Sequence, residues 1–234
     1  MGTSNNLHLT GRDAYTNGKV EYLTGQPEVW NYQCIIGLEF KPASIEELRV
    51  KALNPLLLLE PTHHANLFLY NREAPVHLSV LVLKALQRGE PIDLKQWKTF
   101  CKDLGKSRQM GQAESHFRHL VQNFPNLVLT PAAMLATNDV ATKQLEELRK
   151  ILFGFLHDFN DDFQRSKMLW GLEVSRPPWA HISLARPISI AEGKEQAVLA
   201  DFERIKESFE KSGGVTMTSS RIFVRHCAEY LMQK

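Results

Sequence analysis

Two tripeptides in this chain set an imidazole two residues from a hydroxyl, His77-Leu78-Ser79 and His181-Ile182-Ser183, each inside an apolar, β-prone run, residues 76–83 and 179–187. In a strand, residues i and i+2 project from one face about 6–7 Å apart, so each run presents a histidine beside a serine. Two such strands lying side by side turn two imidazoles and two hydroxyls toward one groove, which is the equipment for in-line displacement at phosphorus. A neutral histidine takes the proton of the attacking hydroxyl or water, a charged one opposite protonates the leaving oxygen, and Ser79 and Ser183 hold the non-bridging oxygens. With an ordinary pKa of about 6.5, histidine reaches both states near neutrality, and the scheme requires no metal. Ala185, counted along the strand onto the His181 face, leaves room for a ligand. Arg165, Lys167, Arg176 and Arg186 gather cations near the second run to offset phosphate charge.

The other chemically capable residues read as structure. His8-Leu9-Thr10 repeats the tripeptide with Thr, but no apolar run surrounds it. Adjacent His63 and His64 point apart in extended chain and lack a carboxylate at ligand spacing, and His116 and His119 lack a third ligand. Asp158, Asp161 and Asp162 read as a solvated helix end. Trp179 and Trp170 lie near the second run, where core packing competes with stacking on a nucleobase, the role considered for Trp179. Cys34, Cys101 and Cys227 have no base at motif spacing and form no Cys-x-x-Cys pair, which argues against a thiol nucleophile, a disulfide framework and a structural zinc site.

The elements that must position the two runs follow from periodicity. Residues 32–40 read as a strand, followed by a helix capped by Ser44 with Glu47 completing a capping box and ending near Asn54-Pro55. Residues 56–70 read as a short buried segment and a loop, and 76–83 as a buried strand. Residues 94–104 and 115–124 read as helices joined by a turn over 105–111, and 127–137 as one strand broken at Pro131. Residues 140–163 carry Leu145, Leu148, Ile151, Leu152, Phe155 and Phe159 at helical spacing. A strand over 168–174, the second His-x-Ser strand, a helix over 191–211 and a strand over 215–224 complete an α+β pattern whose order suggests two related halves.

Length and composition bound the rest. With 234 residues and 43% hydrophobic content, the chain supports one domain, expected over residues 30–234 behind a polar, loosely ordered leader, residues 1–29. The balance of 28 Lys+Arg against 26 Asp+Glu excludes a polycation that coats nucleic acid, so phosphate recognition must be local. The polar start and the lack of a run of about 18–20 apolar residues exclude a signal peptide and a membrane helix, and the unpaired cysteines suit a reducing, cytoplasmic setting.

The run Pro178-Trp179-Ala180-His181-Ile182-Ser183-Leu184-Ala185-Arg186-Pro187 resembles the C-terminal signature of the 2H phosphoesterase superfamily, including the LigT-like RNA 2′,3′-cyclic phosphodiesterases, with Ser for Thr and Ala180 where proline is usual. His77-Leu78-Ser79-Val80-Leu81-Val82-Leu83 is similar to the family's first motif. The resemblance spans residues 30–225 and implies two pseudo-symmetric lobes with antiparallel sheets flanking a central basic cleft, helices outside. It implies His77 and His181 as the acid-base pair and Ser79 and Ser183, with Arg186 nearby, as phosphate ligands. No cofactor or metal is expected, and the expected partner of a monomeric protein is an RNA terminus or a small nucleotide. Serine in both motifs also occurs in relatives that trim the 3′ ends of spliceosomal RNA. The expected activity is thus a metal-independent phosphodiesterase acting on an RNA end, a 2′,3′-cyclic phosphate or a small cyclic or 2′-5′ nucleotide, including signalling nucleotides. The alternative is a catalytically silent nucleotide-binding module, a sensor or scaffold, with the same cleft.

Overall fold

The polar N-terminal segment, expected to be loose, begins as a helix, α1 (Ser4–Thr16), docked through Ser4, His8, Gly11, Ala14 and Tyr15. The structure, a computed structural model, describes residues 4–24, 28–87, 91–165, 170–177 and 179–228, side chains at 29, 30, 160–165 and 170 excepted. Pro178, Lys167 and the side chains of Arg165, Asp161, Asp162 and Trp170 lie outside the described residues. The buried stripe of α1 is polar or bare over its first two turns, at Ser4, His8 and Gly11, and gains apolar side chains only at its end, Ala14 and Tyr15, which is why hydrophobic periodicity missed it. Ser4 Oγ instead donates to Asp139 at 2.9 Å, and the His8 ring lies between Glu203 at 3.0 Å and the Leu129 amide at 3.2 Å. Gly11 permits the contact, because a Cβ there would sit 2.2 Å from the Leu129 carbonyl oxygen. Gly11→Ala is therefore expected to lower stability by about 1–3 kcal/mol, read from denaturant midpoints, with α1 amides losing exchange protection first.

Nine strands form the sheet among the described residues, in the order β4-β9-β1-β3-β8-β6-β5, with β2 on β8 and β7 on β3. They are β1 (Gln33–Phe40), β2 (Asn66–Leu69), β3 (His77–Gln87), β4 (Val121–Phe124), β5 (Asn126–Leu129), β6 (Met134–Asn138), β7 (Trp170–Ser175), β8 (Ala180–Ser189) and β9 (Val215–His226). The fold is α+β with a large antiparallel sheet. Exchanging β1, β2 and β3 for β6, β7 and β8 maps the pairings onto themselves: β1 pairs β3 as β6 pairs β8, and β2 pairs β8 as β7 pairs β3. This duplication places the two His-x-Ser strands at the centre, where each meets its counterpart.

Several local expectations yield to tertiary context. The helix after β1, α2 (Pro42–Leu48), starts at Pro42, whose fixed φ suits a first turn, and Ser44 lies inside it with its hydroxyl accepting from the Thr218 amide at 3.0 Å. Asn54-Pro55 opens a further helical segment, α3 (Asn54–Leu57), rather than ending one, and α4 (Leu59–His63) follows. Gly105 and Gly111 lie within α5 (Leu94–Lys106) and α6 (Arg108–Phe117), separated only by Ser107, which caps α6. Residues 121–124, expected to be helical, form β4 against β9, and 127–137 is a hairpin, β5 and β6, rather than one broken strand. The long helix α7 (Lys143–Arg165) and α8 (Glu195–Lys211) stand as periodicity predicts. On α7, however, Ile151 is exposed and Arg149 shares the buried stripe of Leu145, Leu148, Leu152 and Leu156.

Candidate active site

β3 and β8 touch through a single register pair, Leu78 opposite Ile182. Antiparallel pairing therefore sets His77 across from Ser183 and Ser79 across from His181, all four on the face opposite the buried Leu78 and Ile182. The two imidazoles stand on the diagonal, with backbones roughly 7–8 Å apart. Beyond this contact the strands part, because β7 takes the place beside β3 from Val82 and β2 takes the place beside β8 from Ala185.

The same irregularity follows each serine. The β1–β3 register slips between Ile36 and Gly37, leaving Val80 extra, and the β6–β8 register slips between Met134 and Leu135, leaving Leu184 extra. A bulge shifts every later residue to the other face. Strict alternation put Ala185 on the His181 face. The bulge instead turns Ala185 into the core, with no exposed surface, and brings Arg186 round to the histidines, where its charge acts on both rings.

His77 is held by several neighbours. Its Nδ1 lies 3.1 Å from the Pro75 carbonyl oxygen; as the donor in the neutral ring, it leaves Nε2 as the basic nitrogen. Tyr70 and Phe223 pack edge-on against it, at centroid separations of 6.0 and 5.9 Å. Phe223 reaches it across Gly37, where a Cβ would approach the Phe223 ring to 2.6 Å. Glu39, the cross-strand partner of His77, is engaged by both arms of Arg221 at 2.6 and 2.7 Å. His77 keeps 6% of its surface exposed, whereas Ser79, His181, Ser183 and Arg186 are half-buried. His181 buries Nδ1, and its cross-strand partner Thr137 buries Oγ1, each without a hydrogen-bond partner among the described residues.

Burial pulls the His77 pKa down to about 4, with Arg186 adding to the shift and Pro75 and Glu39 opposing it. His181 falls to about 4 through burial first, then through His77, Arg149 and Arg186. Arg149 was absent from the sequence candidates, its charge hidden in an apolar helix stripe. It is 1% exposed, donates to Glu146 at 2.8 Å and to the Trp179 carbonyl at 3.2 Å, and its Nε has no partner among the described residues. Two neutral imidazoles thus lie in the field of nearby guanidiniums, Arg186 acting on both rings and the Glu146-paired Arg149 on His181. Arg149→Met should raise the His181 pKa, since a like charge disappears, and weaken phosphodiester binding; ring-proton NMR titration and calorimetry read the two effects.

The remaining candidates lie elsewhere. His63 is buried, its Nε2 2.6 Å from Asp201 Oδ2, and His8 holds α1. No group of three or more His, Cys, Asp or Glu among the described residues is placed to hold a metal ion. Cys34, Cys101 and Cys227 are buried and unbridged; burial and its contact with Cys101 push the Cys34 thiol well up, and burial pushes Cys227 up to about 12. Trp179 is half-buried, with its Nε1 enclosed and without a partner among the described residues.

No protein-family model matches the chain, and no curated protein matches it. Among solved structures, Kluyveromyces marxianus Usb1 is similar at 10% identity and TM-score 0.36, covering 84% of this chain and 95% of that one. The same protein with uridine monophosphate is similar at 10% identity and TM-score 0.38, covering 85% and 96%. Likeness at that level says nothing of activity, for which the geometry of the two His-x-Ser strands is the ground.

Proposed function

We propose that this protein is a phosphodiesterase, built on residues 30–234 as one two-lobed unit, that uses His77 and His181 as its acid-base pair on an RNA end, a 2′,3′-cyclic phosphate or a small cyclic or 2′-5′ nucleotide. One observation carries the proposal: the Leu78–Ile182 pairing and the matched bulges bring both imidazoles, both serines and Arg186 to one face. In hydrolysis, one neutral histidine takes a proton from the attacking water as its oxygen bonds to phosphorus. The other, charged on binding the anion, gives its proton to the ester oxygen as that P–O bond breaks, so one water is consumed and the two histidines exchange protonation states with the charge of the pair unchanged. Proton exchange with solvent after product release resets them. Ser79, Ser183 and Arg186 hold the non-bridging oxygens through the transition state, where donors already in place act most strongly. Trp179 is the candidate surface for a stacked base.

The catalyst in this reading is a protein-only, monomeric one working in a reducing, cytoplasmic setting, which the buried, unbridged cysteines suit. No helix among the described residues is long and apolar enough to cross a membrane. A panel of RNA ends and cyclic nucleotides, assayed with chelator present, tests the proposal: cleavage of at least one member is expected, and an intact panel overturns it. The low exposure of His77, with both rings neutral before binding, favours a second reading as a silent nucleotide-binding module. Calorimetric nucleotide binding without cleavage of any phosphodiester in the panel marks that outcome.

A further inference from the structure

We infer that the groove between α5 and the end of β9 is a second anion-binding surface, which holds the backbone of a single-stranded RNA whose end occupies the His77–His181 cleft. The RNA end rests on the phosphodiesterase reading, whereas the binding does not. The groove encloses about 720 Å³ and is lined by Lys95, Lys98 and Lys102 of α5 with Val224, Arg225 and His226 of β9. Four of its described lining residues are lysine or arginine and none is a carboxylate, in a chain whose net charge is only +2. Cation density of that kind is local, as phosphate recognition by a near-neutral protein demands.

The lysines stand at i, i+3 and i+7, rising about 4.5 and 6 Å in turn along one side of the helix. They are exposed, while Trp97, Phe100, Cys101 and Leu104 anchor the other side of α5 in the core, so a folded helix carries the array ready-made. A groove of this size takes one strand and not a duplex. Lysine suits it, because a compact charge on a flexible stem follows a backbone without reading sequence.

β9 connects groove and cleft. Phe223, whose ring lies 5.9 Å from that of His77, shares a strand face with Arg225 two residues on and Arg221 two residues back. Arg221 engages Glu39, which stands opposite His77. Two strand spacings across the sheet and four residues along it, counted from Arg221 level with His77, separate His77 from Arg225, roughly 16–17 Å. α5 packs on the Val224 face of β9, where a Cβ at Gly105 would lie 3.3 Å from Val224 Cβ. A chain leaving the cleft over Phe223 therefore passes Arg225 and rounds the edge of β9, beyond its pairing with β4, to reach the α5 lysines. The substrate class that uses this surface is an oligonucleotide, and a cyclic mononucleotide or dinucleotide is too short to reach it.

The test measures fluorescence-anisotropy binding of labelled oligouridylates of two and ten nucleotides to the full chain at 50–200 mM salt, for the wild type and K95A/K98A/K102A. The decamer is expected to bind about tenfold or more tighter than the dinucleotide. The triple variant should lose that advantage, with its log–log salt slope falling by about 2, while dinucleotide binding and the melting temperature stay put. Equal binding of the two lengths, a decamer affinity and slope unchanged in the variant, or equal competition by a polyglutamate of matched charge would each overturn the inference. Length-dependent binding lost in the variant, with no substrate cleaved, supports the groove and removes the catalytic reading. Cleavage of a small cyclic phosphate without any length effect does the reverse.

Discussion

Replacing His77 or His181 with asparagine is expected to lower kcat/KM by about 10²–10⁴-fold on any phosphodiester the protein cleaves, the usual contribution of a positioned proton donor or acceptor. Asparagine is the chosen substitute because its amide nitrogen can stand where Nδ1 stands and keep the bond to the Pro75 carbonyl, limiting damage to β3. The double variant should be barely worse than either single one, since an acid and a base acting in one transition state fail together. Ser79→Ala and Ser183→Ala should cost less, because Arg186 still faces the same oxygens. Turnover within a few-fold of wild type in both single variants, with unchanged circular dichroism, ends the acid-base assignment.

The second large effect is on acid stability. Both rings have their pKa pulled down to about 4 in the folded protein, against about 6.5 in the unfolded chain. The unfolded state therefore binds protons more tightly, and the sign is set: stability is complete above pH ~6.5 and drains away as pH falls toward 4. For buried His77 the loss is about 3 kcal/mol by the bottom of that window. The half-buried His181, less enclosed than His77 and sharing its field, adds less. Urea midpoints measured from pH 7.5 to 4 should fall more steeply for wild type than for the His77→Asn/His181→Asn protein; parallel curves contradict the burial of these rings. The same linkage makes a phosphodiester bind more tightly as pH drops from 7 toward 5, since the anion favours the charged imidazole that the empty cleft disfavours. A bell-shaped rate profile results, with its acid limb shifted by the substrate.

Val76 to Leu83 is so β-prone that a strand there is legible from sequence, and with it the shared face of His77 and Ser79. α7 and α8 are legible from their periodicity, which local burial imposes on any amphipathic helix. α1 is not, because apart from Ala14 and Tyr15 at its end it docks through a serine, a histidine and a glycine, residues whose burial is favourable only once Asp139, Glu203 and the Leu129 backbone are in place. The misplacement of Ala185 has a similar origin: an extra residue at Leu184 leaves no mark in composition, since a leucine inside a bulge looks like any other strand leucine.

By itself, then, the order of amino acids determined which segments extend or coil and which histidine accompanies which serine, because those depend on neighbours within a few positions. Only the tertiary structure decided that Leu78 meets Ile182, that Arg186 turns inward, that Arg149 lies buried beside His181, and that three lysines flank an arginine two strands from the cleft. The reason is physical. Strand register and helix docking are chosen by the packing free energy of the whole core, and contacts between residues a hundred positions apart contribute to it as fully as contacts between neighbours.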